Sequence, residues 1–304
     1  MSTPSKSVRI IEVSPRDGLQ NERSIIPLQA KLALIRDLVE AGAHEIELGS
    51  FVSPEWVPQM ADTPEVIAGV KGLAGLADIS LVPNLRGLDR AMAAGVSRIA
   101  IFPAATESFS RKNLNASMLE GLSRFEAVAR RALDQGIAVR GYVSVAFHCP
   151  YEGWVDPAAA LHLIQRLFDI GCYEVSICDT TGRATPGHVM PVIEPALARH
   201  GTGPIVAHFH DTFGQGLANA LWSWRAGVTA FDASAGGLGG CPYSPGATGN
   251  LATENLVHMF NGLGVKTGFD LAKLAAAALA ISQYLDRPLT GGFVKAAPDP
   301  LLAG

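Results

Sequence analysis

Two histidines one residue apart, in His208-Phe-His-Asp211, are the sharpest chemical signal in this chain. Side chains two apart on a strand point to the same face, so the pair can present two imidazoles to one metal ion. Two strand histidines hydrogen-bonded in place would look the same, and where the strand ends decides between the readings. Arg16-Asp17 is the second signal, a carboxylate suited to a cation beside a guanidinium suited to an oxyanion. A turn or a surface ion pair would give the same dipeptide. Glu47 ends an apolar run, where an unpaired carboxylate is costly, so it needs a partner such as a metal-bound water or Arg16. Cys241 lies within 236–250, a stretch of fifteen residues with six glycines. A free cysteine is most often a small buried hydrophobe, but Gly240 and Pro242 flank this one where no packed element can form. The expectation is a thiol on a closing lid that gives or takes a proton. No Cys-His-Asn context makes it a protease nucleophile.

Something must hold these groups together, and a repeated phrase supplies it: a helical stretch ending in glycine, then an apolar strand. Gly42, Gly95, Gly136, Gly171 and Gly227 each stand at such a junction, as glycine is favoured just past a helix C-terminus. Strands are predicted near 8–14, 44–49, 78–84, 98–105, 137–147, 172–179, 204–210 and 228–234. Helices fit between them, for example over 27–41, 116–135, 157–170 and 186–200. The strands read as continuous apolar runs, as strands covered on both faces should. Eight alternating units predict an α/β fold, a closed (β/α)8 TIM barrel, rather than an open doubly wound sheet, because no Gly-rich fingerprint follows the first strand. Two further helices, about 253–262 and 270–285, are expected on the barrel's outside, the whole of 1–304 forming one domain.

In such barrels chemistry collects where strands end. The first strand runs into Ser14-Pro-Arg-Asp-Gly-Leu-Gln20, the second into Glu47, the sixth into Asp179-Thr-Thr-Gly182 and the seventh into the two histidines. That placement favours the metal reading of His208 and His210.

Composition narrows the partners. With 48% hydrophobic residues, 17% charged residues and a net charge of −4, the chain can bury a large core and has no basic excess to attract nucleic acid or anionic membranes. Four cysteines at irregular spacing give no disulfide framework and no zinc ribbon, which fits a reducing, cytoplasmic setting. No signal core, transit leader or stretch of about 18 apolar residues is expected to send the chain to or through a membrane.

Together, Ser14-Pro-Arg-Asp-Gly-Leu-Gln-Asn-Glu22, Ser50-Phe-Val-Ser-Pro-Glu-Trp-Val-Pro-Gln59, Arg140-Gly-Tyr-Val143, Cys149-Pro-Tyr-Glu-Gly153, His208-Phe-His-Asp-Thr-Phe-Gly-Gln215 and Gly237-Leu-Gly-Gly-Cys-Pro-Tyr243 resemble the 3-hydroxy-3-methylglutaryl-CoA lyase family of the DRE-TIM metallolyases. The resemblance runs from about Val8 to Asp286. It implies that Asp17, His208, His210 and Asn250 bind Mg²⁺ or Mn²⁺, that Arg16 meets a thioester oxygen, and that Cys241 is the catalytic thiol. Glu47 and Asp179 would serve the chemistry with Glu254 in support, and Gln20 and Ser50 would join Arg16 in contacting an acyl-CoA substrate. The implied reaction is cleavage of that substrate to acetoacetate and acetyl-CoA, as in leucine breakdown, by a chain that can form a homodimer or higher homo-oligomer. Leu48-Gly49 replaces the threonines common after the second-strand glutamate, and His148 and Thr181 are also unusual, so the acyl pocket is where substrate choice would differ. A lyase for a related acyl-CoA such as citramalyl-CoA is the nearest alternative. A condensing enzyme of the isopropylmalate-synthase kind, or a catalytically silent metal- or CoA-binding protein, stands further off.

Overall fold

The computed structural model describes residues 4–240 and 249–296. Eight parallel strands, Arg9–Glu12, Glu45–Ser50, Ala77–Leu81, Arg98–Ile101, Ala138–Val143, Glu174–Asp179, Ile205–Phe209 and Ala230–Ala233, close into one barrel. The first strand completes the ring by pairing with both the second and the eighth. This is the (β/α)8 architecture that the repeat predicts.

The helices fill the intervals as their end signals require. Pro157–Ile170 starts where the Asp156 side chain accepts the Ala158 N–H and stops at Gly171, whose φ of +104° is open to glycine at little cost. Met118–Asp134 starts with a reciprocal Ser117/Glu120 capping box. Thr253–Gly262 and Leu271–Ser282 follow the last strand, the latter lying against Leu28–Glu40. A short helix, Gly292–Ala296, comes after them and was not expected. Among the described residues no helix is long and apolar enough to cross a membrane.

Each strand serves two apolar environments in alternation. Ile10, Ile46, Ile99 and Val139 face the layer between barrel and helices, while Ile11, Ile79, Ala100 and Val206 fill the interior. Strands clothed on both faces need apolar residues at successive positions, which explains the continuous runs in the sequence.

Two predicted strands end four residues early. The fifth stops at Val143, four residues short of the expectation, because the chain turns through Val145 at φ +50° into a small hairpin that pairs His148–Cys149 with Gly153–Trp154. The fourth stops at Ile101, and Ala104 makes only an isolated bridge to Ser144.

Leu48-Gly49 bears on packing rather than on the pocket. Leu48 is 2% exposed and belongs to the outer core. A Cβ added at Gly49 would lie 2.5 Å from Thr63 Oγ1. That hydroxyl accepts the Ser50 N–H at 3.1 Å and lies 3.1 Å from Ser50 O and 2.9 Å from Met60 O, so it cannot easily yield. Gly49→Ala is therefore expected to destabilise the fold by about 1–3 kcal/mol, the usual range for overpacking. Chemical denaturation should register the loss, and Thr63→Ala in the same background should recover part of it; a Gly49→Ala midpoint equal to wild type would show that the site has room.

Candidate active site

The first strand ends in a tight turn, Ser14–Gly18, in which the Gly18 N–H donates to the carbonyl of Val13, five residues back, at 3.1 Å. Such π-type turns are frequent at functional sites. Gly18 is required there, since a Cβ would lie 2.8 Å from Ser234 Oγ and 2.9 Å from Leu238 Cβ. The turn presents Arg16 and Asp17 at the barrel mouth.

Arg16 is buried and divides its donors. Nε and Nη2 meet Glu47 Oε2 at 2.6 Å, and Nη1 meets Asp17 Oδ1 at 2.6 Å. Glu47 thus has the guanidinium partner that its burial demands, while its Oε1 has no hydrogen-bond partner among the described residues. Burial works against an ionised Asp17, but the Arg16 guanidinium, with His210 and His208, holds the carboxyl well below the usual range.

His208 ends the interior face of the seventh strand, and His210 follows just beyond it. Their Nε2 atoms lie 4.0 and 3.8 Å from Asp17 Oδ2, too far to hydrogen-bond, with candidate ligand atoms of the three residues all within 4.8 Å of one another. Asn250 joins them through backbone pairing: the segment 249–252 docks beside the strand ends, with an isolated bridge between His210 and Asn250 and Leu251 N–H on Phe209 O at 2.9 Å. The Asn250 amide nitrogen donates to Asp17 Oδ2 at 2.8 Å and to Leu238 O at 3.1 Å. Gly239, at φ +117°, lies so close that a Cβ would sit 2.6 Å from that nitrogen. Two imidazoles and a carboxylate lie close enough together to hold a divalent cation, with the Asn250 amide beside them.

The other sequence candidates fall into two groups. Gln20 and Ser50 each keep a buried side-chain oxygen without a partner among the described residues, as suits a substrate contact. Asp179 likewise keeps Oδ1 without a partner among the described residues, while its other oxygen, like Glu254, organises a loop. Asp179 Oδ2 accepts the Ala184 N–H at 2.9 Å, shaping the loop after the sixth strand, and burial pushes its carboxyl up to about 7. Glu254 takes the Gly236 N–H on both oxygens, with burial pushing its carboxyl up to about 8. Cys241 lies outside the described residues.

A match to the HMGL-like family model over residues 7–281 gives this constellation its relatives. The chain belongs to the HMGL-like family. Within it, the mitochondrial hydroxymethylglutaryl-CoA lyase of Rattus norvegicus is 49% identical, the match covering 94% of this chain and 88% of the relative. The mitochondrial lyase of Arabidopsis thaliana is 48% identical over 93% of this chain, which spans only 60% of that longer relative. A crystal structure of hydroxymethylglutaryl-CoA lyase from Pseudomonas aeruginosa superposes with a TM-score of 0.94 at 44% identity, covering 99% of each chain. A lyase from Acinetobacter baumannii, solved with coenzyme A and 3-methylmalate, gives 0.92 at 33% identity and 97% coverage of each.

Sequence reasoning missed three buried charges that serve this HMGL-like site. Glu12 accepts from the N–H groups of Ser14 and Ala235 and from Thr253 Oγ1, tying the first-strand turn to the loop after the eighth strand. Asp232 on the eighth strand and Arg140 on the fifth lie inside the barrel. Burial would raise the Asp232 carboxyl, but Arg140 and His208 bring it down to about 2. Arg140 and Asp232 each interrupt an otherwise apolar strand at a position that faces inward, a signal that a period-two reading would have caught.

Proposed function

We propose that this chain cleaves 3-hydroxy-3-methylglutaryl-CoA to acetoacetate and acetyl-CoA, using Mg²⁺ or Mn²⁺ held by Asp17, His208, His210 and Asn250. The observation that carries the reading is the meeting of Asp17 with both imidazoles beside Arg16, in a chain 49% identical to a lyase of that activity. Two imidazoles with two oxygen donors, leaving room for substrate oxygens, suit either ion better than a closed tetrahedral zinc site. When bound, the cation polarises the tertiary hydroxyl and neighbouring carbonyl-type oxygens of the substrate, easing loss of the hydroxyl proton.

The reaction is a retro-Claisen split. The C3 hydroxyl gives up its proton to a base, its oxygen becomes the ketone of acetoacetate, and the C2–C3 bond breaks. The released electron pair passes through C2 to the thioester oxygen. Arg16 meets that enolate: its Glu47 and Asp17 contacts use three of its five N–H groups and leave two for the substrate. Cys241 then protonates C2, giving acetyl-CoA. Glu47 keeps Arg16 in place, Asp179 and Glu254 fix the loops around the site, and Gln20 and Ser50 contact the substrate. We place the reaction in the cytoplasm, a reducing setting that suits the free, buried Cys149, Cys172 and Cys178, and the proposed reaction would serve leucine breakdown.

Purified protein incubated with 3-hydroxy-3-methylglutaryl-CoA should release acetoacetate and acetyl-CoA in equal amounts, and only with added Mg²⁺ or Mn²⁺. No turnover of this substrate, with pyruvate formed from citramalyl-CoA instead, would move the assignment to the related lyase. Cys241→Ala should nearly abolish turnover while Mn²⁺ affinity stays at the wild-type value. Equal loss of both would make the thiol structural.

A further inference from the structure

Beneath the cation site the barrel interior carries a column of alternating charge. Arg9 meets Glu174 near the barrel floor, and Glu174 Oε1 lies 2.8 Å from Arg140 Nε. Arg140, fully buried, reaches up with Nη2 to Asp232 Oδ1 at 2.6 Å. Asp232 Oδ2 takes the Ser176 hydroxyl at 2.7 Å and lies 3.2 Å from His208 Nδ1. We infer that Asp232 is a positioning residue for the cation site, fixing the proton of His208 on Nδ1 and its lone pair on Nε2, with Arg140 holding Asp232 in place.

Both other partners of Asp232 donate, so the carboxylate can only accept and His208 Nδ1 must be the donor. The free lone pair then sits on Nε2, the atom 4.0 Å from Asp17 Oδ2. In the other tautomer an N–H would point at the cation and a lone pair at a carboxylate. His210 has no comparable support, its Nδ1 being without a partner among the described residues. Of the two imidazoles, His208 is thus the one whose orientation the barrel dictates. Arg140 Nη1 also donates to Tyr142 Oη, which contacts Glu47, so the same guanidinium braces the Arg16 side of the site.

The inference rests on His208 being a cation ligand, and the experiment separates the two claims. Asp232→Asn keeps the volume but offers His208 either a carbonyl or an amide, so both tautomers become available. Mn²⁺ titration followed by electron paramagnetic resonance should show affinity weakened roughly 10- to 100-fold, the usual effect of losing such a support. Turnover should recover when Mn²⁺ is raised to saturation, which a merely damaged fold would not allow. Wild-type Mn²⁺ affinity in Asp232→Asn, alongside lost binding in His208→Ala, would overturn the role of Asp232 alone. Retained Mn²⁺ in His208→Ala would overturn the ligand assignment as well. If Asp232→Asn does not fold, imidazole nitrogen shifts of the wild-type protein decide, with the His208 signals assigned by difference from His208→Ala. The Nδ1–H form is expected, and the Nε2–H form would end the proposal.

Discussion

Arg16→Gln should lower kcat by roughly a thousandfold while the protein keeps its full complement of bound cation. Charge on the thioester oxygen develops only as the C2–C3 bond breaks, so a guanidinium aimed there acts on the transition state and not on the resting substrate. Losing a preorganised oxyanion partner typically costs about 3–4 kcal/mol. Because the lost interaction is absent from the ground state, kcat and kcat/KM should fall together while KM barely moves. The variant also removes the partner of fully buried Glu47. An orphaned buried carboxylate can destabilise a fold by about 3–5 kcal/mol, so a loss of activity by itself would be ambiguous. Arg16→Gln with Glu47→Gln removes both charges and should regain much of the stability, measured by denaturation, without regaining turnover. A double variant within tenfold of wild-type kcat would mean that Arg16 only braces the site.

His208→Ala should give the second large effect, through a different quantity. Dialysed against Mn²⁺ at a concentration that saturates the wild type, this variant should hold less than about a tenth of the cation by elemental analysis, with turnover falling in parallel. One imidazole of the pair disappears, and of the four proposed donors only Asp17, His210 and Asn250 remain. Unchanged cation content would sink the assignment of His208 whatever happened to the rate.

Much of the scaffold was legible because its punctuation is local. The helix-ending glycines mark five of the strands and the gaps between them give the other three, and the barrel-mouth residues Arg16, Asp17, Glu47, His208 and His210 stand at strand ends found this way. Strand length was harder to read. The run 137–147 is apolar enough to look like one strand, yet a positive φ at Val145 ends it with no glycine or proline at that point, and Pro150 and Gly153 announce only the hairpin that follows. Reading the strands as uniformly apolar also hid the charges within them. Asp232 lies between Phe231 and Ala233, and Arg140 between Val139 and Gly141, so local hydropathy absorbs both. Their meaning depends on facing one another across the closed barrel, a relation between residues 92 apart in sequence. The suspicion placed on Leu48-Gly49 had a similar origin: without the fold, nothing shows that Leu48 faces the helices or that Thr63 occupies the space beside Gly49.

The pairing of the first strand with the eighth makes the proposed cation site a seam. Asp17 comes from the beginning of the chain, His208 and His210 from its last third, and the Asp17–Asn250 contact joins residues 233 apart. On the ribosome, a chain that had completed its first six strands would still carry only the carboxylate end of the site. Affinity for the cation arises at ring closure, when the two ends of the polypeptide meet. A ligand that binds only the closed form draws the equilibrium toward it in proportion to its free concentration. The ion that prepares the substrate would then also act as a clasp on the barrel. Chelation should therefore release protection from hydrogen exchange first along the join between the first and eighth strands, and last in the second to fifth.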